Sequence, residues 1–233
     1  MLSSDKKTRN KLIKTRLFID FDGTITDCDV GDGIFTRFMS PEAAESDLHN
    51  RLIADWKAGI LSSEQCLKQE CKGTIVNRAQ FDEELERYEL TPGFKRLVEC
   101  CHEKDIPMMI LSDGFDYYIS YILEKHGAAD IPFRSNHMLF NNGSLDVEFP
   151  WLEKGCGRCG NCKRWHIETE SKTGERIIYA GDGYSDRFAI HDADVVFARR
   201  DLAEYCISQG REFIPYEDLH AITDYLETSD ESS

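Results

Sequence analysis

Four short apolar runs, at 16–21, 106–111, 176–180 and 194–198, alternate with stretches of helical periodicity near 93–104, 115–127, 161–171, 184–192 and 199–209. That alternation predicts a doubly wound parallel α/β sheet, closed by a last helix near 216–227. Between Val30 and Leu90 no run reads as a strand. Gly31–Met39, Pro41–Lys57, Ser62–Cys71 and Arg78–Tyr88 carry helical patterning, with Pro41 and Ser62 placed as helix starts. Thr91 and Pro92 mark the return, so the expected organisation is an α/β core of 1–29 and 91–233 interrupted by a small helical domain of 30–90. Phe133 to Phe140 and Leu145 to Phe149 flank Asn141-Asn142-Gly143-Ser144, which predicts a β-hairpin lying off the main sheet.

The ends of three runs carry the candidate chemistry. Leu17 to Thr26 reads LFIDFDGTIT, so Asp20 and Asp22 sit two residues apart where a buried strand gives way to Gly23. Residues i and i+2 share one side of a strand, which lets both carboxylates face one crevice. Two unit charges ~4 Å apart repel by roughly 4 kcal/mol at an effective dielectric of ~20. Paired acids at a strand tip therefore call for a proton or a cation, and hard oxygen ligands suit Mg²⁺. Ile106 to Gly114, IPMMILSDG, brings an apolar run to Ser112, whose hydroxyl and following N–H groups suit a phosphate. Arg176 to Asp186, RIIYAGDGYSD, puts Asp182 at a strand tip and Asp186 in the first turn beyond it. Lys163 lies between the second and third segments and supplies a cation. Taken singly, an Asp or Ser at such a position also serves as a helix cap.

DxDGT, a strand ending in Ser, a Lys and GDGxxD, in that order from Asp20 to Asp186, resemble the motif set of the haloacid dehalogenase-like hydrolase superfamily. The resemblance implies a Rossmann-like core. The helical insert directly after the first motif is similar to the small cap of the phosphoserine phosphatase-like branch, which closes over the crevice and chooses the substrate. It further implies that Asp20 is the nucleophile that becomes an aspartyl phosphate, and that Asp22 is first the general acid and then the base. Ser112 and the N–H of Asp113 would hold the phosphoryl oxygens, and Lys163 would neutralise the nucleophile and the transferred group. Asp20, Asp182 and the main-chain carbonyl of Asp22 would hold Mg²⁺, with Asp186 supporting the site from behind or through water. An anion attacking a phosphate dianion needs positioning and charge neutralisation, and covalent capture splits one hard displacement into two. Asp22 must keep a proton near neutral pH, which the crowding of anions favours.

Lys154 to Ile167 reads KGCGRCGNCKRWHI. Cys156, Cys159 and Cys162 recur every third residue among glycines just before Lys163, and CxxC is a usual half-site for zinc. His166 is the nearest candidate for a fourth ligand. A structural zinc fixing the loop that presents Lys163 is one reading, and a glycine-rich loop of reduced thiols is the other. A cysteine-rich loop ending in CK, after Asn136-His137 and Pro150-Trp151, narrows the resemblance. With SDGFDYY, GDGYSD and Phe197-Ala198-Arg199, it resembles the methionine-salvage 2-hydroxy-3-keto-5-methylthiopentenyl-1-phosphate phosphatase family over most of the core and little of the cap. Asp113 stands where relatives commonly carry a second Gly, so its carboxylate has to turn away from phosphate. Asp29 lies where phosphoserine phosphatases place a cap-side Glu that grips an amino group; a solvated residue near the hinge is the alternative. Arg37 and Arg51 are the cap cations most able to reach an anionic tail, or else solvated helix-face residues. Cys28, close to the site, is either oxidation-sensitive or a packed thiol.

A chain of 233 residues can bury one substantial core and a small accessory domain. Its 28 Lys and Arg against 43 Asp and Glu give a formal charge of −15. That balance argues against a nucleic-acid surface and leaves an anionic substrate to be drawn in by local cations. No apolar run approaches the ~20 residues of a membrane-spanning helix. The first sixteen residues are basic with no apolar signal region behind them, and the terminal TSDESS reads as a polar fray. Nine cysteines without a signal peptide point to free thiols in a reducing cytoplasm. The expected protein is a Mg²⁺-dependent phosphomonoesterase for a small phosphorylated metabolite, with the methionine-salvage enol phosphate as a candidate and no nucleic-acid or membrane partner. A phosphoserine phosphatase-like enzyme and a catalytically silent phosphate-binding regulatory protein are the competing readings. The joint presence of Asp20, Asp22, Ser112, Lys163 and Asp182 speaks against silence.

Overall fold

A computed structural model of the protein describes residues 14–229. Most of the basic leader and the last four residues of the polar tail lie outside the described residues. The strands are β1 (Thr15–Ile19), β2 (Met108–Phe115), β3 (Phe133–Asn141), β4 (Ser144–Glu148), β5 (Arg176–Gly181), β6 (Val195–Ala198) and β7 (Ile214–Pro215). They form one sheet in the order β4-β3-β2-β1-β5-β6-β7, parallel throughout except for the antiparallel β3–β4 pair.

Alternation along the central strands explains why both faces are covered. Leu17, Ile19, Ile110, Ile178, Ala180 and Phe197 join one apolar cluster; their neighbours Phe18, Met109, Leu111, Ile177, Tyr179 and Val196 join another. Five helices precede the second strand's crossover: α1 (Val30–Arg37), α2 (Pro41–Glu45), α3 (Leu48–Lys57), α4 (Ser63–Lys72) and α5 (Arg78–Leu85). The core helices are α6 (Phe94–Glu103), α7 (Asp116–Lys125), α8 (Lys163–Glu170), α9 (Arg200–Gln209) and α10 (His220–Ser229). Leu97, Ile119 and Ile222 bring α6, α7 and α10 to the first cluster, whereas Ile167 and Leu202 bring α8 and α9 to the second. Ile34, Phe35, Phe81 and Leu85 of the helical insert continue the first cluster.

Local chemistry accounts for the insert's helix starts. Ser40 accepts from the Ala43 N–H with Pro41 in the first turn, and Ser62–Gln65 and Asn77–Gln80 form reciprocal capping boxes.

Three expectations need correction, and one short strand went unpredicted. The hairpin is not off the main sheet: Phe133 and Arg134 pair in parallel with Ile110 and Leu111, and only the later residues of β3 pair with β4. The Asn-Gly turn encodes the hairpin but says nothing of β3's other edge. The helix expected over Pro41–Lys57 is broken at Asp47, which takes a positive φ of 52°. The helix expected over 184–192 is two short turns, Tyr184–Asp186 and Ala189–Asp192, because the Asp186 carboxylate draws in the Asp182 and Gly183 N–H groups. The two-residue β7 is too short to carry a periodic signal.

Candidate active site

The chain runs outward from β1 through β2 to β3 on one side and from β5 to β7 on the other, so the sheet reverses its winding at β1. Ligand crevices in open α/β sheets form at such switch points, beyond the strands' carboxyl ends. Asp20 follows β1, Ser112 and Asp113 lie in β2, and Asp182 follows β5. Lys163 arrives from the opening turn of α8.

Lys163 is 3 % exposed. Its ammonium donates to Asp20 Oδ1 at 2.5 Å and to Asp186 Oδ1 at 2.6 Å. Burial alone would pull its pKa down; Asp186 and Asp20 outweigh burial and push it well up, so the amine stays charged. Asp186 is fully buried, and its other oxygen accepts the Asp182 and Gly183 N–H groups at 3.0 and 2.9 Å. Tyr179 also donates to it. Asp182 accepts from the Thr24 hydroxyl at 3.3 Å and from the Arg200 guanidinium at 2.9 Å.

Asp20, Asp182 and Asp186 offer carboxylate oxygens all within 4.8 Å of one another. Burial, then Asp186, holds Asp20 well above the usual carboxylate range, and the same two causes raise Asp182 to about 6. A buried all-oxygen cluster with excess negative charge fits a hard divalent cation. The Asp22 carboxylate is not part of that cluster. After Asp20 the backbone leaves the strand and turns at Gly23, φ 67°, sending the Asp22 side chain toward β2 and α7. There Asp22 Oδ2 accepts from Ser112 at 3.1 Å and from Tyr118 at 2.7 Å. Withdrawal from water, then the charge of Asp29, raises Asp22 to about 7, against the lowering effect of those two donors. A Cβ at Gly23 would fall 2.4 Å from Asp182 Oδ2, so both the turn and the close approach demand glycine.

Ser112 Oγ also accepts from the Gly114 N–H at 2.9 Å. The Asp113 carboxylate turns away from Asp22, accepting from the Asn161 N–H at 2.9 Å and from Asn136 Nδ2 at 3.4 Å. Asn161 Nδ2 donates to the Ser112 and Arg134 carbonyls at 2.7 and 2.8 Å, fixing the cysteine loop to the floor of the site.

A cavity of about 330 Å³ lies between these groups and the helical insert. Phe35, Ile53, Trp56 and Leu67 form apolar wall, and Asp29, Asp32 and Glu70 add acids. Asp29 caps α1 by accepting from the Asp32 N–H at 2.8 Å. The cavity's cations are already engaged: His49 with Asp32 and Glu70 at 2.8 and 2.9 Å, Lys57 with Asp201 at 2.6 Å, and Arg200 with Asp182. Asp32 and Glu70 push His49 up to about 10. Arg37 pairs loosely with Glu84 at 3.7 Å, Arg51 is exposed, and neither lines the cavity. Cys28 lies at the surface, where partial burial and then Asp27 push its thiol up to about 12, which removes the thiolate an oxidation-sensitive site needs.

The sulfurs of Cys156, Cys159 and Cys162 lie within 4.8 Å of one another. His166 does not join them; it is buried, with Nε2 2.6 Å from Asn161 Oδ1, and burial, then Arg134, lowers it to about 4. The expectation of His166 as fourth ligand is therefore corrected: the first turn of α8 carries its ring toward Asn161. Tyr118, Tyr179, Thr24, Arg200 and His49 escaped sequence reasoning. Tyr118 stood within the quoted SDGFDYY segment, but nothing in its spacing aims its hydroxyl at Asp22.

The structure thus sets a buried lysine among three carboxylates at the switch point of a doubly wound sheet, the arrangement that the resemblance to haloacid dehalogenase-like hydrolases leads one to expect. The family model described as "Putative Phosphatase" matches residues 15–215, and the chain belongs to that family. Similar curated proteins include the 2-hydroxy-3-keto-5-methylthiopentenyl-1-phosphate phosphatase of Exiguobacterium sibiricum. It is 28% identical over 219 residues, covering 92% of this chain and 97% of that protein. The protein of the same name from Bacillus cereus is 30% identical over 216 residues, covering 91% and 95%. Among solved structures, a phospho-aspartyl intermediate analogue of phosphoserine phosphatase aligns with a TM-score of 0.67 at 20% identity, over 91% of this chain and 98% of that one. Cytosolic 5'-nucleotidase IIIB bound to cytidine aligns with a TM-score of 0.57 at 16% identity, over 94% and 87%. The fold is shared with these structures, and the activity is that of a phosphoric monoester hydrolase.

Proposed function

We propose that this phosphatase acts on a small metabolite through an aspartyl phosphate on Asp20, and that the metabolite is the methionine-salvage enol phosphate. The observation that carries the proposal is Lys163, one buried ammonium bridging Asp20 and Asp186 at the tip of β1.

Asp20 Oδ attacks phosphorus while Lys163 holds that carboxylate in place and offsets the charge brought together. Ser112 and the N–H of Asp113 cradle the phosphoryl oxygens. Asp22, protonated up to about pH 7, gives its proton to the leaving oxygen and then takes one from the water that opens the aspartyl phosphate. Asp20, Asp182 and the main-chain carbonyl of Asp22 would hold Mg²⁺, while Asp186, saturated by Lys163, Tyr179 and two N–H groups, orients the cluster. When bound, Mg²⁺ supplies positive charge to the phosphoryl oxygens. Residues 30–90 act as a cap that excludes water from the crevice.

Charge favours the enol phosphate over phosphoserine. The carboxylate of phosphoserine would enter a cavity whose His49, Lys57 and Arg200 already serve carboxylates, while the acids Asp29, Asp32 and Glu70 would suit only its ammonium group. A neutral apolar tail instead meets Phe35, Ile53, Trp56 and Leu67. The cytoplasm supplies both the reducing conditions that suit nine thiols and such metabolites.

Hydrolysis of p-nitrophenyl phosphate with and without Mg²⁺ tests the chemistry: wild type should require the ion, and Asp20→Asn should fall to background. Equal rates for the two proteins would remove Asp20 from the mechanism. A panel of phosphorylated metabolites tests the substrate, and a preference for phosphoserine over the enol phosphate would reverse the ranking.

A further inference from the structure

We propose that Cys156, Cys159 and Cys162 hold a zinc ion as three thiolates with a fourth, exchangeable position, and that the ion locks the loop joining the site's floor to the helical insert.

The sulfurs are gathered in a way ordinary loop packing does not require. Cys156 and Cys159 approach to 3.3 Å, and all three lie within 4.8 Å of one another. Zn–S bonds of about 2.3 Å in a tetrahedral site separate two sulfurs by about 3.8 Å, so closing on an ion takes shifts of under about 1 Å. A disulfide would need a spacing of about 2.05 Å and would leave one sulfur over. The backbone is shaped around the third ligand. Gly155 has φ 78°, and a Cβ there would sit 2.5 Å from Cys162 Sγ, so glycine opens the cradle in which that sulfur rests. All-sulfur donors select zinc over the hard cation suited to the carboxylate cluster. Binding converts three S–H groups to S–Zn bonds and releases three protons to solvent, with no redox change.

The loop's contacts explain what the ion would do. Cys162 occupies the position just before the first residue of α8, Lys163, and Asn161 is tied to Ser112 and Asp113. On the other side the Arg158 carbonyl accepts from the Ser63 N–H at 3.0 Å, and its guanidinium donates to the Gly59 carbonyl. A single ion in this loop thus holds the lysine, the phosphate strand and the turn between α3 and α4 in one register.

Metal analysis of the full chain purified without chelator should find about one zinc per chain. Cys156→Ser, at an exposed position, and Cys159→Ser should each lose it, whereas Cys28→Ser and Asp182→Asn should keep it. Cobalt added to the zinc-stripped protein should give the intense near-ultraviolet sulfur-to-cobalt band, absent in Cys159→Ser, and bound metal should shield three thiols from a thiol reagent. Retention of zinc by both loop variants, iron or copper in its place, or cobalt binding without the sulfur band would overturn the assignment. Because Asp182→Asn separates the two metal sites, full phosphatase activity in that variant with zinc retained would count against the catalytic scheme alone, whereas lost zinc in the loop variants bears on the thiolate site alone.

Discussion

Replacing Lys163 with Met removes one charge while keeping an unbranched, apolar stem of similar length. In the folded protein that ammonium lies 2.5 Å from Asp20 and 2.6 Å from Asp186. At an effective dielectric of ~20, each pair attracts by roughly 6 kcal/mol before the cost of burying the charges is counted. That cost offsets much of the gain, and losing one partner of a buried pair typically destabilises by about 3–5 kcal/mol. The loss should depend on pH. Asp20 already sits well above its ordinary range, and Lys163 is the group that restrains it. Without Lys163 the folded protein holds the Asp20 proton to still higher pH than the unfolded chain does. Folding then takes up a proton, so the variant gains stability as pH falls and loses it as pH rises through the folded pKa. Lys163 itself, raised well above its ordinary value, contributes fully across the neutral range and is lost only in strong alkali. Urea unfolding at pH 5 and pH 8 should therefore show a larger deficit against wild type at pH 8. Turnover of p-nitrophenyl phosphate at pH 8 should drop by about 10²–10³ or more, the size expected when a preorganised charge is removed. A variant with wild-type stability at both pH values, or with turnover within a factor of about three, would show that the ammonium does not hold the nucleophile.

Four further predictions rest on the same geometry. Asp22, raised to about 7, should give a turnover profile that falls above that pH as the general acid loses its proton. Tyr118→Phe removes a 2.7 Å donor that stabilises the Asp22 anion, so the falling limb should move to higher pH by about one unit; an unmoved limb would separate Asp22 from it. Gly23→Ala places a methyl 2.4 Å from Asp182 Oδ2 on a positive-φ turn, so thermal melts should show a loss of about 1–3 kcal/mol together with loss of Mg²⁺-dependent turnover. Chelation should abolish activity, and Mg²⁺ at about 100 times its dissociation constant should stabilise the wild type by about 2.7 kcal/mol, with less effect in Asp182→Asn; an equal effect in both would place the ion elsewhere.

The fold and the acids were legible in the chain because both leave short-range marks. The strands around Leu17–Ile19, Met109–Leu111 and Ile177–Ala180 must be apolar on both faces to sit inside a doubly covered sheet, and that continuity survives any permutation of neighbours. Asp20, Gly23, Ser112 and Asp182 announce themselves because a strand tip compresses chemistry and turn into a few consecutive residues. Nothing comparable marks Tyr118 and Tyr179. Each meets its carboxylate only once a helix or strand has been docked, so the link depends on rotation and packing rather than on spacing. The same holds for the engagement of His49, drawn between α1 and α4 by helices that the sequence predicts but cannot orient.

Sequence alone determined which groups were available to the site: the strand-tip acids, the lysine, the glycines that let the backbone turn, and three thiols at even spacing. Tertiary structure decided how they were used. It split Asp20 and Asp22 between two neighbourhoods, gave β3 to the main sheet, turned Asp113 and His166 toward Asn161, and kept Arg37 and Arg51 out of the cavity. The physical reason is range. Backbone torsion and hydrophobic period act over a few residues, whereas burial, charge balance and hydrogen-bond partners are settled among groups as far apart as Asp20 and Lys163, which share nothing until the sheet closes.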